Sequence, residues 1–149
     1  VTATTSVSLW REPYVLAAAA SHRIATRDRW SVKELAGTDF ILRAACEAHA
    51  DAQRLFAAEG VRPRALLRSA DEERCAAAVL AGLGVSLMPR SLLRPGLVAA
   101  AIREVALERR VVLAWRPDLP GDISALLRET AVAHTWPGSS GDDRLAFAR

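Results

Sequence analysis

Cysteine is scarce: the 149 residues contain two, Cys46 and Cys75. Two thiols cannot build the disulfide framework that staples small secreted domains, so the fold must rest on its own core, with both thiols expected to be reduced. Long apolar runs are lacking too. "YVLAAAA" at 14–20 and "LVAAAI" at 97–102 fall far short of the roughly 20 residues needed to cross a membrane. The opening "VTATTSVSLWREP" has no basic stretch leading into an apolar one, so no signal peptide is expected and a cytoplasmic location is. Blocks of like charge are also missing. The net charge is +3 and the pI about 9.5, but Arg23, Arg43, Arg54, Arg68, Arg90, Arg103 and Arg128 lie in separate segments, whereas a nucleic-acid footprint is clustered. Direct DNA binding by these residues is not expected. What remains, 51% hydrophobic and 25% charged, is the composition of a globular protein, long enough for one domain or two small lobes.

Extended and helical patterns alternate along the chain, which predicts an α/β fold with a largely parallel sheet. Residues 14–20 and then "FILR" (40–43) read as strands. Ala48, Ala52, Leu55 and Phe56 make the apolar face of a helix stopped by Gly60, and "ALLR" (65–68) is the next strand. "SADE" (69–72) reads as a capping box in which Ser69 and Glu72 bond reciprocally, opening a helix over 70–81 that buries Cys75, Ala78 and Val79. Gly82 and Gly84 end it before the strand "VSLM" (85–88). Residues 40–88 thus predict two consecutive crossover units, each right-handed. "LVAAAIREVAL" and "RRVVLAWRP" read as extended, with Trp115 as a core or hinge contact. A last helix from about Asp122 shows Ile123, Leu126, Leu127, Thr130 and Ala131 on one face, expected to be core. The tail at 137–149 is polar and expected to be disordered. The end strands, "YVLAAAA" and "RRVVLAWR", are expected to belong to a second sheet that lacks its other members.

"FILRAACEAH" (40–49) gathers Arg43, Cys46, Glu47 and His49. A C-x-x-H spacing without a second ligand pair does not make a zinc site. Cys46 at a helix start with His49 three residues on does not fix a base on a nucleophile. Position is more informative. Ligands of α/β sheets bind beyond the carboxyl ends of strands, and both Arg43–Glu47 and Ser69–Asp71 occupy such ends, facing one crevice. Gly82-x-Gly84 lacks the third glycine of a dinucleotide fingerprint and reads as a helix stop and turn. His22, in "SHRIA", reads as a loop histidine capping local backbone.

The order of segments resembles the effector-binding domain of LysR-type transcriptional regulators. "EPYVLAAAASHRIA" resembles that family's extended run followed by His-Pro-Leu-Ala, with Arg23 in place of the proline. "KELAGTDFILR", "LLRSADEERCAAAVLAGLGVSLMP" with its Gly-x-Gly-hydrophobic-Pro ending, and "LERRVVLAWRPD" are similar to the elements that follow, and "RxxCE" of Arg43, Cys46 and Glu47 followed by "AQRLFAAEGVRPR" is met in one branch.

The resemblance implies a type 2 periplasmic-binding-protein-like fold with a small-molecule effector between two lobes. The second lobe, about 21–93, is nearly complete. Hinge strands and a partial first lobe are expected at 13–20 and 97–136, after an N-terminal segment at 1–12. The family's helix-turn-helix and the opening strand–helix–strand have no counterpart, so the chain is expected to be a fragment whose access to DNA is through a missing domain. A homodimer is the family's habit. The effector, polar or anionic, is expected near Arg43, Ala44, Cys46, Glu47, Ser69 and Asp71. Either Arg43 would grip a carboxylate by two parallel bonds or Glu47 would instead select amines or hydroxyls, and His49 would lie outside the wall. No enzyme activity, cofactor, metal or membrane contact is expected. A transport-type solute-binding protein of the same fold and an enzyme using Cys46 are the alternatives.

Overall fold

The computed structural model describes residues 5–136. They fall in two compact units, one of residues 13–108 and one made of the described residues before 13 and after 108. In chain order the strands and helices are β1 (Thr5–Ala19), β2 (Arg29–Trp30), β3 (Asp39–Arg43), α1 (His49–Ala58), β4 (Arg64–Ser69), α2 (Glu72–Leu80), β5 (Ser86–Pro89), β6 (Leu97–Ile102), β7 (Glu108–Trp115) and α3 (Gly121–Ala133).

In the unit of residues 13–108, β3 and β4 run parallel with Arg43 opposite Ser69. A parallel bridge joins Phe40 to Val85, just before β5. The Val85 amide donates to the Asp39 carbonyl at 2.9 Å and the Ile41 amide to the Val85 carbonyl at 2.8 Å. β5 pairs antiparallel with β1, β1 with β6, and β6 lies parallel to β2. β3 and β4 thus form a two-stranded sheet, linked through the Phe40–Val85 bridge to the sheet of order β2-β6-β1-β5. β3-α1-β4-α2-β5 is the expected pair of crossovers. Because β4 and β5 flank β3 on opposite sides, right-handed connections place α1 and α2 on opposite faces of the sheet. The alternation of β3 agrees: Phe40 packs with Phe56 of α1 in the larger core, while Ile41 packs with Cys75, Ala78 and Val79 of α2. Leu16, Ala17 and Ala18 are fully buried. Alanine is a poor strand former in general, but a central strand flanked on both edges and covered on both faces accommodates small side chains.

Several expectations change. β1 starts at Thr5, nine residues before Tyr14. "YVLAAA" and β7 do share a sheet apart from the β3–β4 pair, as expected, but that sheet does not lack members: β5 and β6 pair "YVLAAA" on both edges. The supposed polar link 26–39 contributes β2 and three buried apolar side chains, Trp30, Val32 and Leu35, besides buried Thr38. The helix after β3 begins only at His49, so residues 44–47 form turns, with the Cys46 amide on the Arg43 carbonyl at 3.2 Å. The capping box does not form. Asp71 is the N-cap, accepting from the Arg74 amide at 3.1 Å, and Ser69 Oγ accepts from the Asp71 amide, because Glu72 is drawn away by Arg43.

Gly84 is required by close approach: a Cβ there would sit 2.6 Å from the Asp39 carbonyl oxygen. His22 Nδ1 accepts from the Ile24 amide at 3.2 Å, the local cap expected of it.

In the other unit, β7 pairs with β1. Arg109 Nε donates to the buried carboxylate of Glu12 at 2.6 Å. Trp10 stacks on Trp136 at 5.2 Å, and Trp136 donates to the Ala131 carbonyl at 2.7 Å. The apolar face expected on the last helix is present but is not core: α3 has no buried residue, and Ile123 and Leu126 are 45% and 64% exposed. Helical period says which side is apolar, not what covers it. The tail at 137–149 lies outside the described residues.

Candidate functional site

Parallel strands end together, and a row of polar residues lies along that edge. Arg43 is the last residue of β3 and stands opposite Ser69, the last of β4; the Ala44 amide donates to the Ser69 carbonyl at 2.8 Å. On the other side of β3, β5 ends at Pro89, whose partner on β1 is Tyr14. Tyr14, the chain's single tyrosine, thereby joins the same edge. This position sits where the connections from β3 and to β5 diverge, the topological switch at which α/β sheets open a crevice.

Arg43 is buried, its side chain 4% exposed, and its fork is occupied: Nε and Nη2 donate to the two carboxylate oxygens of Glu72 at 2.6 and 2.7 Å. Burial disfavours the guanidinium charge, but the bonds and charge of Glu72, then Cys46 and Tyr14, outweigh it and raise its pKa. The two-bond grip expected for a ligand carboxylate is thus made inside the protein. One nitrogen is left over: Nη1 is buried without a hydrogen-bond partner. The hydroxyl of Tyr14, a residue 4% exposed, is likewise buried, with Glu47 and Cys46 as its polar neighbours. Burial first, then side-chain hydrogen bonding with Glu47 and the charge of Cys46, pushes its pKa well above the ordinary phenol value.

The other expected residues follow. Ala44, Glu47 and Asp71 are exposed, and Cys46 and Ser69 are half-buried. Ser69 and Asp71 already use an oxygen each on local backbone. Cys75 lies on the buried face of α2, with burial the main cause of its raised pKa. Tyr14 was not found from sequence, although a lone polar aromatic in a strand of Val, Leu and Ala was the available signal.

Below this edge, between β3 and α1, lies a cavity of about 100 Å³ whose walls include Phe40, Leu42, Phe56 and Leu87, with Arg43 and Cys46 also lining it. His49 lines it too, so this residue, expected to lie apart, adjoins Cys46 there. A larger polar hollow of about 530 Å³ lies at the opposite end of β3 around Arg23, Glu34 and Asp39, where the charges are matched. Arg23 donates to Thr38 Oγ1, Arg27 to Glu34, and Arg64 to both oxygens of Asp39. Among the described residues no group of His, Cys, Asp and Glu could hold a metal ion, and no helix is long and apolar enough to cross a membrane.

An α/β unit with two crossovers and a polar strand-end edge is the kind of scaffold on which ligands bind beyond the strand ends. Residues 2–132 match the model of the LysR substrate binding domain, and the chain belongs to that family. Similar solved structures include the CcmR regulatory domain of Synechocystis PCC6803 in complex with 2-PG, at 22% identity and a TM-score of 0.73 over 89% of this chain and 67% of that one. The C-terminal domain of a probable LysR family transcriptional regulator from Rhodococcus sp. RHA1 is 26% identical, with a TM-score of 0.72 over 87% of this chain and 68% of that one. The effector binding domain of QuiR in complex with shikimate is 20% identical, with a TM-score of 0.69 over 87% of this chain and 64% of that one. The chain thus spans about two thirds of the length of these domains. No curated protein matches it.

Proposed function

We propose that this chain senses a small polar effector for a LysR-type regulator, holding it at the carboxyl ends of β3 and β4 near Arg43, Ala44, Cys46, Glu47, Ser69 and Asp71, with Tyr14 as a further donor. The observation that carries the reading is Arg43 Nη1, a buried donor left without a partner at the strand-end edge. Buried polar groups are almost always bonded, and a ligand oxygen supplies the acceptor that this one lacks. An anionic or neutral oxygen serves equally, because Glu72 already neutralises Arg43; Glu47 then selects for hydroxyl or amine groups on the ligand.

In this reading residues 21–93 are the second lobe, 13–20 and 97–136 the hinge strands and partial first lobe, and 1–12 and 137–149 lie outside it. The ligand acts by population shift, binding one arrangement of lobes better than another. The output passes to DNA through a helix-turn-helix domain, in a homodimer in the cytoplasm. The site binds and does not catalyse, since Cys46 lies in a turn and not at a helix N-terminus. Calorimetry against a panel of small polar metabolites tests this. A ligand that binds the wild type should lose at least about tenfold in affinity on Tyr14→Phe, the order expected for a hydrogen bond lost from a buried partner; unchanged affinity refutes the assignment.

A further inference from the structure

We propose that the open side of the Arg43 guanidinium is a carboxylate seat, so that the effector is a carboxylic acid held end-on by Arg43 while Glu72 holds the same group from the side. This inference rests on the function proposed above and specifies the class of ligand. A guanidinium carries five N–H donors in one plane, arranged as forks that match the two oxygens of a carboxylate. The bonds to Glu72 take the hydrogen on Nε and one of the two on Nη2, at 2.6 and 2.7 Å. They fill the side-on fork. Both hydrogens of Nη1 and the second on Nη2 are left, and no other described residue accepts from them. One from each terminal nitrogen, parallel and in plane, makes the end-on fork.

Charge does not choose between an anionic and a neutral oxygen here, because Glu72 balances Arg43; the shape of the open fork does. A carboxylate presents two coplanar acceptors and fills both donors. An amide or hydroxyl fills one and leaves the other buried and unbonded, which costs free energy. A phosphate ester also presents paired oxygens, but it brings about two charges to a residue already balanced. The Arg43 side chain is 4% exposed and is fixed from two directions, by β3, which it ends, and by Glu72, the first residue of α2, so the fork is both shielded from water and preorganised. Tyr14 and Cys46 lie close enough to Arg43 to act on its charge. Burial holds the Tyr14 proton in place, and its hydroxyl therefore meets an acid as a donor. Arg43 in this arrangement links the ligand directly to the start of α2.

Titration calorimetry with two matched pairs, lactate with lactamide and benzoate with benzamide, and with methyl phosphate tests this on the wild type, Tyr14→Phe, Arg43→Lys and Glu72→Gln. On the wild type each acid should bind about tenfold tighter than its amide, the scale of one further charged hydrogen bond, and methyl phosphate should bind more weakly than either acid. Glu72→Gln removes a like charge beside the acid and should tighten the acids by at least about threefold, and the amides by less. Arg43→Lys keeps the charge and loses the fork; with its folding checked by urea unfolding, it should abolish the difference within each pair. If acid and amide bind the wild type equally and both weaken in Tyr14→Phe, the end-on seat is overturned and the strand-end site stands. An acid preference that persists in a folded Arg43→Lys, or acids that fail to tighten in Glu72→Gln, would also overturn the seat. If no probe binds, both the seat and the strand-end site are overturned.

Discussion

Replacing Tyr14 by phenylalanine should make the ligand-free protein more stable. The ring is buried on β1, and its hydroxyl meets Glu47 and Cys46 without making a well-formed hydrogen bond to either. An unmatched buried hydroxyl costs about 1–3 kcal/mol relative to water. Removing one oxygen leaves a gap smaller than a methyl group, so almost none of this is returned as cavity cost. The lower end, about 1 kcal/mol, is the expected gain, which for a domain of this size raises Tm by about 3–6 °C.

The alkaline limb gives a second reading. The folded-state pKa of Tyr14 is raised above its ordinary 10.0 by burial, then by Glu47 and Cys46. Below pH 10 folded and unfolded chains both carry the proton, and its contribution is level. Above pH 10 the unfolded chain releases a proton that the folded chain keeps. Wild-type stability should therefore fall by about 1.4 kcal/mol per pH unit more steeply than that of Tyr14→Phe. With one tyrosine in the chain, phenolate absorbance follows this group alone. Urea unfolding at pH 7 and at high pH, with the absorbance titration, measures both effects. A Tyr14→Phe protein less stable by 1 kcal/mol or more at pH 7, or a folded-state phenolate appearing near pH 10, would refute the claim that the hydroxyl is buried and unmatched.

Glu72→Ala should destabilise by about 2 kcal/mol, short of the 3–5 kcal/mol for a fully buried pair because Glu72 is 39% exposed; the double change Arg43→Met, Glu72→Met should restore most of it in chemical unfolding. Gly84→Ala should cost about 2–3 kcal/mol by pushing Val85 off the Asp39 carbonyl, seen as a lower urea midpoint with an unchanged slope. The pKa of His22 is lowered from 6.5 by burial, then by Arg23. The unfolded chain therefore takes up the proton first, and stability present above about pH 6.5 is lost as pH falls below it; His22→Asn, which keeps an acceptor for the Ile24 amide, should flatten that part of the Tm–pH curve.

The crossovers around β3 could be read from sequence because each element there is a contiguous run: four apolar residues make a strand, and a 3.6-residue period makes a helix. Trp30, Val32 and Leu35 escaped because they stand singly among charges. Trp30 is buried under Arg27, whose guanidinium lies 3.7 Å from its ring centre, and donates to the Ile24 carbonyl, so no periodic window reveals it. The Ser69–Glu72 capping pattern was real as a pattern, but Arg43, 29 residues away, competes for the same carboxylate with two charged donors. A local motif yields to a stronger distant partner, and distance along the chain hides that partner. The candidate wall was legible for the complementary reason: where a strand stops is local, and parallel neighbours stop together.

β3 itself contains the comparison that locates the ligand. At its amino end Asp39 is gripped by Arg64 through both oxygens, and the charges around it are matched in the same way. At its carboxyl end, four residues on, Arg43 keeps a buried nitrogen unmatched. Both ends were built by the same chain under the same demand that buried polar groups be bonded. Trp10 Nε1 and Ser86 Oγ are also buried without a partner, so what sets the carboxyl end of β3 apart is the place of its open donor, at a strand-end edge beside other polar groups. Its polar groups are held rigidly by the Glu72 pair and the β1–β5 register while their remaining donors stay open, which is the arrangement in which a site is preorganised for an acceptor that arrives from outside.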